Sequence, residues 1–190
     1  MKAALFFLAM ALLTGTVTAQ TVIQVPYGKT SVLIDGKYDA QEWKDGYRLM
    51  LTDSLNLWIK QDSANIYWCL QGLYQPAVLG GVNFYITQNN RLLNLHASAK
   101  LGERQLVAGN YGEWVWWNNK EWAANVARPD KIEERKFLRD EAKEFQLRKT
   151  RFGDKTMRMM LDIEFPRQLL PCYPVQADTA NANQWVALQF

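Results

Sequence analysis

Four of the chain's eight tryptophans, Trp114, Trp116, Trp117 and Trp122, stand in one stretch, YGEWVWWNNKEW, from Tyr111 to Trp122, with Asn118 and Asn119 among them. An indole offers a flat apolar platform on which the C–H face of a pyranose can pack. The amides beside it supply both hydrogen-bond donors and acceptors for hydroxyls. Flat apolar surface next to a few polar groups is the usual composition of a small-molecule pocket. If the stretch is extended, alternate side chains take opposite faces. Trp114 and Trp116 then share one face, and Trp117 shares the other with Val115. Burying an aromatic ring stabilises a fold by a few kcal/mol, so the same residues also fit an architectural role. In that alternative Trp114 and Trp116 are core, Trp117 and Trp122 close the open end of the fold, and the asparagines form a turn.

Other reactive side chains are sparse. His96 is the one histidine; with Met157, Met159 or Met160 it makes a candidate pair of haem ligands, although methionine on a strand is more often core filler. Asp35 and Asp39 are candidate calcium ligands or turn formers. Glu113 and Glu121 flank the tryptophans as a pair of carboxylates able in principle to hydrolyse a glycoside. No GxSxG, HExxH, P-loop or dinucleotide fingerprint accompanies them, and one histidine with two distant cysteines falls short of a four-ligand zinc site. The reading is therefore non-catalytic, with no cofactor predicted and calcium or haem as the two to test. Cys69 and Cys172 are either a disulfide or two free buried thiols.

The elements that must position these residues are strands. SLNLWIKQD (54–62) and NIYWCLQGL (65–73) alternate apolar and polar residues around a short polar connection, a hairpin pattern. GVNFYITQNNRLLNLHAS (81–98) places two strands around Gln88, Asn89 and Asn90. Met157, Met159, Leu161, Ile163 and Phe165 recur at period two, and NQWVALQF (183–190) closes the chain with a last strand. PDKIEERKFLRDEAKEF breaks the pattern. Leu138, Ala142 and Phe145 fall at helical spacing among charges, and Asp130 stands ready to cap, which predicts one surface helix over about 130–144. Several antiparallel strands in one stretch of chain predict a mainly β fold, an antiparallel β-sandwich.

IDGKYDAQEWKDG, from Ile34 to Gly46, resembles the opening signature of family 9 carbohydrate-binding modules and their DOMON-like relatives. NIYWCLQGLYQP and NFYIT are similar to that family's central strands, LDIEFPRQLL to its apolar-Pro-x-x-x-Leu exit, and WVALQF to its closing strand. Gly112 to Phe152 departs from the family pattern. The resemblance implies a β-sandwich that in sugar-binding members holds a glycan between aromatic side chains, and in other members holds haem.

Bounds on class come from the ends and the charge. MKAALFFLAMALLTGTVTAQ has one basic residue, a short apolar run and small residues at Val17 and Ala19, the form of a cleaved signal peptide over residues 1–19. That predicts a secreted or periplasmic protein, with residues 20–190, roughly 170 residues, as one domain. The apolar run is shorter than a membrane helix needs, so no membrane insertion is expected. Lys and Arg total 22 against 19 acidic residues, a balance that calls for no nucleic acid; the basic run RKTRFGDKTMR (148–158) reads as a solvated tip. The expected partner is carbohydrate, gripped by Trp114, Trp116, Trp117, Asn118, Asn119 and Trp122. The alternative is another exported protein, since interface centres favour exposed aromatics.

Overall fold

The structure is a computed structural model that describes residues 21–72, 81–89, 91–98, 100–107, 109–116, 122–124, 142–152, 155–164 and 172–190. In chain order the described elements are β1 (Val22–Gln24), α1 (Ala40–Trp43), β2 (Tyr47–Met50), β3 (Asn56–Gln61), β4 (Asn65–Gln71), β5 (Gly81–Gln88), β6 (Arg91–Ala97), β7 (Leu101–Val107), β8 (Asn110–Tyr111), β9 (Val115–Trp116), β10 (Trp122–Ala124), β11 (Ala142–Arg148), α2 (Lys149–Phe152), β12 (Thr156–Glu164) and β13 (Val186–Gln189). They form two sheets. The larger runs β1-β13-β12-β5-β6-β7-β8 with β9 also paired to β7, and the smaller runs β10-β11-β4-β3-β2.

Period-two patterning explains why the sheets face each other. Leu57, Ile59, Ile66, Trp68 and Leu70 of the smaller sheet meet Phe84, Ile86, Leu95, Met159 and Leu161 of the larger in one apolar cluster. Trp68 stacks on Phe84 across the interface with ring centres 4.2 Å apart. The mainly β sandwich read from the sequence is the fold observed, and both expected hairpins, β3–β4 and β5–β6, pair in antiparallel register.

The expected helix over 130–144 is corrected at its end. Residues 142–144 belong to β11, which pairs along its whole length with β4, Phe145 opposite Trp68 and Leu147 opposite Ile66. Ala142 and Phe145 fit a helical stripe equally well as a sequence, but the core face of β4 gives Phe145 and Leu147 a partner at strand spacing. The rest of the expected helix lies outside the described residues.

The outer face of the smaller sheet is covered by the IDGKYDAQEW segment, which explains why Tyr67 and Cys69 are buried although they point away from the core. Asp39 caps α1 by accepting from Gln41 N. Trp43, fully buried, packs on Tyr67, Cys69 and Ala142. Its indole N–H donates to Glu144 Oε1 at 3.3 Å, while Glu144 Oε2 accepts from the backbone N–H groups of Asp35 and Gly36 at 3.0 and 2.9 Å. Gly36 takes φ +83°, a left-handed turn that a side chain would strain. The Lys60 ammonium, only 1% exposed, donates to Thr30 O, Thr30 Oγ1, Glu42 O and Asp45 Oδ1. Burial raises the Asp45 carboxyl, but the backbone N–H of Lys29, the Lys60 ammonium and the backbone N–H of Thr30 outweigh it and hold Asp45 well below the usual carboxylate range, at about 2.

The basic stretch at 148–158 is tied to the fold. Lys149 Nζ donates to Gln61 Oε1 and Asp62 O, Arg158 Nη1 donates to Ala182 O, and Arg151 makes a two-pronged ion pair with Glu103 at 2.6 and 3.0 Å. No helix among the described residues is long and apolar enough to cross a membrane.

Candidate functional site

The outer face of the larger sheet carries a row of side chains that sequence order scatters. Strand register sets Trp116 beside Gly102, Gly102 beside His96, His96 beside Asn83 and Asn83 beside Asp162, from β9 across to β12. The adjacent row holds Arg104, Asn94, Tyr85 and Met160. Each of these residues alternates with a core residue of its strand, so core formation on one side fixes this face on the other.

Trp114 and Trp116 stack on each other with ring centres 5.3 Å apart and planes inclined by 25°. Trp116 is 50% exposed. Both rings lie over Gly102, where an added Cβ would come within 2.7 Å of Trp116 and 3.2 Å of Trp114. Gly102→Ala should therefore displace the indole pair while leaving the core intact, read as a changed tryptophan emission spectrum with a melting temperature close to wild type. Lys100 Nζ sits 5.8 Å from the Trp116 ring centre, and the Arg104 guanidinium lies between Trp114 and Tyr111, at 4.3 and 4.8 Å. Cations over aromatic faces are favourable contacts that fix ring orientation.

His96 stands edge-on to both indoles, 5.4 Å from Trp114 and 6.2 Å from Trp116. Asn83 Nδ2 donates to Glu164 Oε1 at 2.8 Å, which turns Asn83 Oδ1 toward His96 Nδ1 at 2.9 Å. With the amide so turned, Nδ1 is the protonated nitrogen, and Nε2 lies 3.0 Å from the Ser98 hydroxyl oxygen. Burial holds the His96 pKa below its ordinary value, so the ring is neutral at pH 7. Asp162 is pushed up by burial and by the Glu164 charge, and burial raises Tyr85 to about 12.

The expected site residues divide. Trp114 and Trp116 come together on this face. Trp122 does not join them: it is 3% exposed, lies in the core nearly parallel to Phe145, and donates its indole N–H to Glu103 Oε2 at 3.0 Å. The β10–β11 pairing accounts for the correction, because it turns Trp122 inward beside Leu147. Trp117, Asn118 and Asn119 lie outside the described residues, as does Glu121, while Glu113 is exposed. Asn83, Asn94, Arg104 and Asp162 were missed, although polar residues alternating with core apolar ones on β5, β6, β7 and β12 mark the face.

Neither cofactor reading gains a ligand set. His96 cannot ligate iron without giving up Asn83 or Ser98. Met157 and Met159 lie in the main core, and Met160 packs with Tyr85 and Trp185. Asp35 accepts from Lys37 N and Asp39 from Gln41 N, the geometry of turn formers. Among the described residues no three His, Cys, Asp or Glu side chains are grouped to hold a metal ion.

No known family model, curated protein or solved structure matches this chain. The site must be read from its own chemistry.

Proposed function

We propose that this exported protein binds carbohydrate without transforming it, on the outer face of the larger sheet. The observation that carries the reading is the half-exposed Trp116 ring, backed by Trp114 and seated over Gly102. A ring exposed on one side and supported on the other is a preorganised platform, and preorganisation spares the ligand an ordering cost. A pyranose packs its C–H face on Trp116, and its hydroxyls reach Ser98 and Lys100 beside the ring. The resemblance of IDGKYDAQEW to family 9 carbohydrate-binding modules supports the same class of ligand.

Glycan-array screening of the chain from residue 20 onward, followed by calorimetry on the hits, tests this. Trp116→Ala is expected to weaken binding by about tenfold or more, the loss of one stacked aromatic contact. Trp122→Ala should lower the melting temperature instead. Undiminished glycan binding by Trp116→Ala would remove the platform. A chain that binds no glycan would leave Val107, Val115 and Trp116, all exposed, as an apolar edge for another exported protein.

A further inference from the structure

Two buried polar groups on this face are left without hydrogen-bond partners. Asn94 is 0% exposed, and neither its Nδ2 nor its Oδ1 has one; the buried Nε of Arg104 is in the same condition. Buried polar groups are nearly always paired, because leaving one unpaired forfeits its hydration without return. Asn94 and Arg104 are direct partners across β6 and β7, so the unpaired atoms belong to neighbouring side chains on one face.

Arg104 is also held in place. Trp114 and Tyr111 flank the guanidinium, at 4.3 and 4.8 Å. Among the described residues the ion pairs are Lys60–Asp45 and Arg151–Glu103, neither of which supplies Arg104 with a carboxylate. The acids of this face, Asp162 and Glu164, stand on β12, three strands from β7, and Glu164 is engaged by Asn83. Positive charge is thus concentrated at the tryptophan end, where Lys100 joins Arg104, and negative charge at the far end.

Resting on the carbohydrate reading above, we propose that the sugar taken by this face is a uronate, its carboxylate held by Arg104 and Asn94. One carboxylate oxygen accepts from Arg104 Nε–H and the other from Asn94 Nδ2–H, a charge-assisted arrangement. Asn94 Oδ1 accepts from an adjacent sugar hydroxyl, which satisfies all three orphaned atoms at once. The sugar ring extends from there onto Trp116, one residue pair further along β7. A neutral hexose fills the platform and leaves Asn94 and Arg104 unpaired.

The test uses a panel of uronate oligosaccharides, each with its methyl ester as a neutral twin, titrated into the wild-type chain and into Arg104→Met, Asn94→Leu and Trp116→Ala. The expected result is that wild type prefers acid over ester by about tenfold or more, and that Arg104→Met and Asn94→Leu each reduce that preference. Asn94→Leu should at the same time raise the melting temperature of the unliganded protein, because it replaces an unpaired amide with an apolar group. A structural Asn94 would lower it, and that outcome overturns the proposal. Equal binding of acid and ester by wild type, with binding still lost in Trp116→Ala, overturns the uronate while leaving the carbohydrate reading in place. Absence of binding to any glycan removes both.

Discussion

Trp43→Ala is expected to destabilise the protein by roughly 3–5 kcal/mol, lowering its melting temperature by about 10 °C or more. Trp43 is fully buried outside the main core, so its loss empties the small cluster that joins α1 to β4 and β11. It also removes the indole N–H from Glu144 and the ring that lies 5.4 Å from the Lys60 ammonium. Trp43→Phe separates the contributions: it keeps a ring in the cluster and drops the N–H, and should cost about 1 kcal/mol. Thermal melts of the two variants beside wild type decide the matter. If Trp43→Ala melts with wild type, the IDGKYDAQEW segment does not clamp the smaller sheet.

The second large effect is on the pH dependence of stability. Burial pushes the Glu144 carboxyl up to about 7 from an ordinary 4.5, against the lowering effect of the Gly36, Asp35 and Trp43 donors. Between those two values the folded chain binds more protons at this position than the unfolded chain does. Stability therefore rises as pH falls from 7 to 4.5, and the contribution is lost as pH climbs through 7. The interval corresponds to about 3 kcal/mol. His96 acts in the opposite sense. Its pKa is lowered in the fold, so its contribution is complete above its unfolded value and declines as pH falls below it. Urea denaturation of wild type and Glu144→Gln from pH 5 to pH 8 isolates the carboxyl. The wild-type curve should lose stability relative to the variant with rising pH, and parallel curves would show that Glu144 does not titrate in this range.

Much of the architecture was legible because alternation has a single physical cause, the two faces of a strand. Met157, Met159, Leu161 and Ile163 sit at period two and all reach the core. β7 was less legible because Glu103 takes a core-facing position, supported by Arg151 and Trp122, and a charged residue there disguises the pattern. Trp122 was misplaced for a related reason: an indole near other indoles looks like part of a platform until β10 pairs with β11. The signature segment pointed to a sandwich without showing what the segment itself does there, which is to cover the smaller sheet. Its acids serve turns, a helix cap and Lys60, which only long-range contacts such as Asp35 to Glu144 could reveal. That Trp114 and Trp116 share one face was legible from alternation, but the juxtaposition of Asn94 and Arg104 was not, since nothing local in NLH or ERQ distinguishes an unsatisfied amide from a solvated one.

Cys69 and Cys172 are both free thiols, and they occupy opposite outsides of the sandwich. Cys69 packs beneath Trp43 on the smaller sheet, and Cys172 beside Tyr85 and Trp185 on the larger. The whole thickness of the core separates them, about 10 Å between sheets and more between outer faces, well beyond the reach of a disulfide. The fold is therefore held without a disulfide between them. Refolding in the presence of a reducing agent should recover the native fold.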